Sequence, residues 1–200
     1  MNSIKQTLPR AVLLLLLCTV VCGVLYTGVV TAAAQIFFKD TANGSIIEVN
    51  GKKYGSELLA QEYTDEAHMW GRIMNLDTAT FKDENGTPLL YAAPSNLSPA
   101  SEEYKALIAE RTEKTRNANP DMKDAPIPVD LVTVSGSGLD PHISPAAASY
   151  QVARLAKAND MTEKEINDII SKCTTKKLLG VFGEETVNVL KVNLMLDGIL

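Results

Sequence analysis

The sequence predicts an α/β or α+β domain with a small mixed sheet, carried behind one N-terminal transmembrane helix. Three observations predict it. From Ala11 to Phe38 there is no charged residue, and Leu13 to Leu17 form an unbroken leucine run. Beyond Phe38, short apolar stretches alternate with helix-start signals. Asn50-Gly51 is a strong two-residue hairpin signal, because both central positions of a type I′ turn take positive φ.

A helix rises about 1.5 Å per residue, so about 20 apolar residues cross a hydrocarbon core of about 30 Å. Lys5 and Arg10 precede the run and no acidic residue does. Positive flanks stay inside, so residues 1–10 are expected to be cytoplasmic, 11–34 to span, and 39–200 to form an extracytoplasmic domain. The rival is a signal peptide cleaved near Ala32-Ala33-Ala34, which would release a secreted ligand-binding domain. Ala11 to Val30 is longer than a signal core of about 7–15 residues, which favours the anchor.

Charge excludes one class of partner. Lys5 and Arg10 are the only two of 19 Lys and Arg ahead of Phe38. All 24 Asp and Glu follow it, so the domain stands near about −7. Its basic residues are dispersed, and nucleic acid requires a clustered basic surface. Cysteine count is equally restrictive. Cys18 and Cys22 lie in the apolar run, leaving Cys173 alone in the domain, where no internal disulfide is available to it.

Along the domain, Ser45 to Asn50 reads as a strand and Lys52 to Ser56 as its return. Glu57 to Glu66 reads as a helix, and Thr78 to Pro99 as mostly loop. Ser98-Pro99 reads as a helix start, running to about Arg116. Prolines break the chain between Asn117 and Pro128. Val129 to Val134 reads as a buried strand. Ser144-Pro145 starts a second helix, and Thr162-Glu163-Lys164-Glu165 is a capping box for a third. Ile166, Ile169, Ile170 and Cys173 make the third helix's apolar face. Val187 to Leu196 alternates except for a slip at Leu190, which reads as a strand with a bulge. Trp70, with Met69 and Met74, reads as core or interface.

The densest segment is Ser135, Gly136, Ser137, Gly138, Leu139, Asp140, Pro141, His142, Ile143, Ser144 and Pro145. Such a turn between strand and helix can present backbone amides to an anion. It lacks the Gly-Lys-Ser/Thr ending of a P-loop and the spacing of a nucleophile elbow. Asp140 with His142 suggests a membrane-tethered hydrolase as one alternative. A metal would need further ligands, and His68 is far away in sequence. The other reading is a structural turn with Asp140 and Ser144 capping.

This segment resembles the C subunit (KdpC) family of the bacterial high-affinity potassium-transporting P-type ATPase. The resemblance runs nearly the full length. It includes Ala42-Asn43-Gly44-Ser45, Gly55-Ser56 with Gln61, Ser95-Asn96-Leu97 and Asp130-Leu131-Val132-Thr133. After the central run come Ala147, Gln151, Val152, Arg154 and Ala156, then Gly183-Glu184 and Val187-Asn188-Val189-Leu190 with Asn193-Leu194. It implies a single-pass subunit in the cytoplasmic (inner) membrane, in contact with lipid. Its implied partners are a potassium-conducting A subunit, an ATP-hydrolysing B subunit and a small F subunit. Potassium is the implied cargo. ATP enters through the complex, where the C subunit is described as a catalytic chaperone raising the B subunit's ATP affinity. Ser95, Asn96, Ser135 to His142, Ser144, Gln151 and Arg154 are the implied interaction or nucleotide-related residues. Two departures stand out. Ala93-Pro94 replaces the usual Gly-Gly before Ser95, weakening direct ATP contact. Tyr26-Thr27 replaces a frequent Tyr-Pro in the anchor.

Overall fold

The structure is a computed structural model that describes residues 2–200. The chain divides into two compact units, one ending at Ser45 and one running from Ile46 to Leu200.

The first unit is dominated by one helical run. It comprises α1 (Asn2–Cys18), a π-helical stretch Thr19–Tyr26 and α2 (Thr27–Phe37). Ile4–Phe37 is long and apolar enough to cross a membrane, and none of it is buried in protein. The Tyr26-Thr27 step lies at the end of the π stretch. There the Thr27 hydroxyl donates to the Cys22 carbonyl, five residues back, at 3.0 Å, the spacing of π-helix hydrogen bonding. Cys18 and Cys22 are exposed on this run. A short helix, α3 (Lys39–Ala42), follows.

The second unit opens on a hairpin, β1 (Ile46–Val49) with β2 (Lys52–Ser56). The turn is the one expected: Asn50 has φ 53° and Gly51 φ 78°. Glu57 to Glu66 is not a helix, contrary to expectation. Its backbone groups are taken elsewhere. Leu58 donates to the Ser56 hydroxyl, and the carbonyls of Asp65 and Glu66 accept from the distant Arg154. A short pair, β3 (Leu76–Asp77) and β4 (Tyr91–Ala92), brackets the expected loop. Helix α4 (Glu102–Ala118) starts three residues later than Ser98-Pro99 suggested, because Ser101 is the cap and accepts from Tyr104 N. Ser98 instead turns the chain, accepting from Ala100 and Ser101.

Val129 to Val134 is not a strand. Val129–Leu131 forms a 3-10 turn after Pro128, and the Thr133 hydroxyl donates back to the Val129 carbonyl at 2.9 Å. Only Val134 keeps a strand-like bridge, to Ile73. Then come β5 (His142–Ile143), α5 (Pro145–Tyr150), α6 (Val152–Ala158), α7 (Glu163–Lys172) and β6 (Thr174–Thr175). Ser144 caps α5, accepting from Ala147 at 3.2 Å. Thr162 and Glu165 form the expected reciprocal capping box of α7.

The C-terminal segment departs from its alternation. β7 (Thr186–Asn188) is brief, and α8 (Val189–Leu196) replaces the rest. Asn188 caps α8 by accepting from Lys191 at 3.0 Å. The slip at Leu190 therefore marks the strand-to-helix junction, not a bulge. Val189, Leu190, Val192 and Leu194 are all buried, so their spacing carries no single face. The three-stranded sheet has the order β5-β7-β6, all antiparallel. The core gathers Ile143, Leu155, Ile166, Ile169, Ile170, Val187 and Val192 around it. Cys173 belongs to that core, where burial pushes its thiol pKa up.

Candidate functional site

The central segment is built as a buried turn. Ser135 and Gly138 are buried while Gly136 and Ser137 are exposed. The Gly138 amide donates to the Ser135 hydroxyl at 3.0 Å, and the Leu139 amide donates to the Ser137 hydroxyl. These two amides are thus occupied within the turn and not aimed at an anion. Gly138 has φ 73°, and a Cβ there would lie 2.6 Å from the Ala93 carbonyl and 2.9 Å from that of Asn75. The close approach has a cause. Asn75 donates from its amide to Gly138 O and from its side chain to Ala93 O, stitching the turn beneath the β3–β4 pair. Ser95 and Asn96 follow Ala93 after Pro94; Ser95 is half-buried and Asn96 is exposed at φ 54°.

Asp140 and His142 come together only loosely, with Oδ1 and Nδ1 3.9 Å apart. Asp140 accepts from the His142 amide at 3.0 Å, and its other oxygen faces Arg72 at 3.5 Å. The His142 ring nitrogen Nε2 lies 3.3 Å from the Asn188 side-chain amide. Pro141 O accepts from Val189 N, and Leu139 O from Ala60 N. Asp130 accepts from Ser144 N at 2.7 Å. Ser144 caps α5 as the structural reading expected, whereas Asp140 caps no helix and instead closes a local turn onto the His142 amide at the start of β5. Among the described residues, no three His, Cys, Asp or Glu side chains gather as metal ligands.

Gln151 and Arg154 form a second polar centre, apart from that turn. Both are buried. Gln151 accepts from Trp70 N at 2.8 Å and donates to Trp70 O at 3.0 Å, pairing with that residue as a strand would. Asn193, on α8, does the same for Met69, at 2.7 and 3.0 Å. Arg154 donates to the carbonyls of Asp65, Glu66 and His68, to Gln151 Oε1 and to Asn119 Oδ1. Its guanidinium lies 5.0 Å from the Trp70 ring centre. Desolvation lowers its pKa to about 10, against the opposing pull of Asp65 and Glu66, so it stays charged at neutral pH. The backbone of Asp65–Trp70, which has no helix or strand of its own, is held by the side chains of Gln151, Arg154 and Asn193 together with Asn159, which donates to the Ala67 carbonyl at 2.8 Å.

Asn119 carries no sequence signal, and Asn193 enters only through the family resemblance, not as a site residue. The signal for Asn193 was present: one asparagine among Val189, Leu190, Val192 and Leu194. A polar side chain at a buried position needs a partner. Beside this clamp, Trp70, Arg72, Arg111 and Lys114 line a small cleft of about 90 Å³ with Glu62 as its carboxylate. Met69 is fully buried, as the core reading expected.

His68 ties the clamped segment to the C-terminus. Its ring contacts Asp65 at 2.8 Å and Asp197 at 3.1 Å. Desolvation opposes its charge, but the two carboxylates win and its pKa is raised. A raised folded-state pKa stabilises below the unfolded value near 6.5 and loses that stabilisation as pH rises through the folded value. Thermal melts are expected to show His68→Gln losing more stability at pH 6 than at pH 9. Equal losses at both pH values would contradict the pairing.

Together these features define a class: a small domain whose distinctive polar residues hold its own backbone, joined to a helix long enough to span a membrane. The family model described as "KdpC: K+-transporting ATPase, c chain" matches residues 8–198. The chain is 59% identical over 200 residues to a potassium-transporting ATPase KdpC subunit of Clostridium botulinum, covering 100% of each. It is 60% identical over 195 residues to that of Clostridium perfringens, covering 98% of each. With that of Methylococcus capsulatus it shares 44% over 189 residues, covering 94% of this chain and 96% of the relative. The chain therefore belongs to the KdpC family, the c chains of K+-transporting ATPases.

Proposed function

We propose that this chain is the non-catalytic C subunit of an ATP-driven potassium-uptake complex. In this reading it assembles with a potassium-conducting A subunit, an ATP-hydrolysing B subunit and a small F subunit. The helix Ile4–Phe37 anchors it in the cytoplasmic membrane with residues 1–10 inside and the domain outside. The domain caps the external mouth of the A subunit and stabilises the assembly. Any support for ATP use then passes through the membrane helices and the conformations of the partners, since ATP is cytoplasmic. Lys5 and Arg10 ahead of an uncharged span support the orientation. Gly23, Gly28 and Ala32 to Ala34 suit close packing against partner helices.

The observation that carries the reading is the match to the c-chain family over residues 8–198. The geometry agrees with it. Arg154, Gln151 and the Ser135–Gly138 turn are committed to internal backbone groups, as in a scaffold. Direct grip on ATP is disfavoured by the occupied amides at Gly138 and Leu139. The test is removal of residues 46–200 while the anchor is kept, within the full complex. The expected result is loss of stable assembly and of potassium-stimulated ATP hydrolysis. Full assembly and activity without the domain would defeat the reading.

A further inference from the structure

The domain carries an excess of acidic residues, yet three cations gather in one place with little to oppose them. Arg72, just beyond the clamped segment, meets Arg111 and Lys114, one turn apart on α4, around the cleft beside Trp70. Glu62 is the one carboxylate among the lining residues, and it is exposed. The fold does not use these cations fully. Among the described residues, Arg111 and Lys114 form no ion pair. Arg111 donates to the Val132 carbonyl at 3.2 Å, and the Lys114 ammonium lies 5.4 Å from the centre of the Trp70 ring. Arg72 is held by long contacts: 3.5 Å to Asp140, and 3.3 Å each to the Thr133 hydroxyl and the Val134 carbonyl. Its Nε is buried without a hydrogen-bond partner. A buried donor left unpaired has a free-energy cost, so this guanidinium is short of an acceptor.

We propose that this cleft binds a small organic carboxylate, its anionic end among Arg72, Arg111 and Lys114 and its hydrocarbon part against Trp70, Ile73 and Met74. Three positive side chains against one negative select an anion over a cation or a neutral ligand. Two guanidinium forks match the planar geometry of a carboxylate. Two observations separate a carboxylate from inorganic phosphate. Trp70, Ile73 and Met74 line the cleft, and a bare phosphate has no apolar part to place against them. Glu62 also repels phosphate more strongly, since phosphate carries more than one negative charge at neutral pH. A volume of about 90 Å³ holds the ligand to a short chain of a few carbons. The site needs this chain alone, so its failure would leave the subunit reading untouched.

The test uses the full chain in detergent micelles and reads the fluorescence of Trp70, the single tryptophan. Sodium butyrate is the probe. Butyramide, inorganic phosphate and sodium chloride, at matched ionic strength, are the comparisons. Butyrate is expected to give a saturable change with a Kd of about 1 mM, as suits so small a ligand, and butyramide and chloride none. Phosphate is expected to bind more weakly by about tenfold. Arg111→Gln should weaken butyrate by about tenfold and Lys114→Gln by about fivefold. Lys114 is exposed on α4, so Lys114→Gln should leave the melting temperature unchanged, and it decides the matter if Arg111→Gln does not fold. Four results would each overturn the site: no saturable change up to about 100 mM butyrate, the same change with butyramide, phosphate binding as tightly as butyrate, or affinity kept within about twofold in the folded variants.

Discussion

Replacing Arg154 by alanine is expected to destabilise the domain by about 3–5 kcal/mol, the usual cost of removing one member of a buried charged network. Three backbone carbonyls, Asn119 Oδ1 and Gln151 Oε1 would each lose a donor. A single domain has only about 5–15 kcal/mol in hand, so the variant should be poorly folded or recovered in low yield. Arg154→Lys should restore only a minor part, since one ammonium cannot serve a planar fork's five donor directions. The measurement is denaturant unfolding followed by the fluorescence of Trp70, the single tryptophan in the chain. Its ring lies against Arg154, so the probe reports on the clamp itself. A loss below about 1 kcal/mol would mean the clamp is dispensable.

Gly138→Ala is expected to cost about 2–4 kcal/mol, combining a left-handed backbone with a collision. The new Cβ meets backbone oxygens of Ala93 and Asn75, which cannot swing aside as a flexible side chain would. Gly136→Ala is the matched control, for its Cβ would meet nothing within 4 Å. Two alanines, two residues apart in one motif, should therefore differ by at least about 2 kcal/mol in unfolding free energy. Equal effects would show that the turn is not stitched to the β3–β4 pair.

The parts of the fold legible in the sequence are those decided within a few residues. Asn50-Gly51 needs only its own φ preferences. Ser144-Pro145 and Thr162 with Glu165 need only the first turn of a helix. Glu57 to Glu66 does not form the expected helix, and the carbonyls at its end, Asp65 and Glu66, are claimed by Arg154, far along the chain. Val129 to Val134 was read wrongly because Pro128 and Thr133 tighten it into a turn. In Val187 to Leu196, burial on several sides erased the period that separates strand from helix, and the decisive residue was the cap Asn188. At the candidate site, the turn and the Ser144 cap are readable locally. The contacts that explain Gly138, with Asn75 and Ala93, are not, because strand pairing brings those residues in from elsewhere. Gln151 and Arg154 were singled out through family resemblance alone. Their physical role became visible only with the backbone of Asp65–Trp70 in place.

We propose above that this chain works as a subunit of a larger complex. Affinity purification of the tagged full-length chain from detergent-solubilised membranes, with identification of what accompanies it, tests this most directly. Two large polytopic subunits are expected, with potassium-stimulated ATP hydrolysis that persists in an Asp140→Asn variant. A chain that purifies alone, with a hydrolytic activity of its own that Asp140→Asn abolishes, would contradict it.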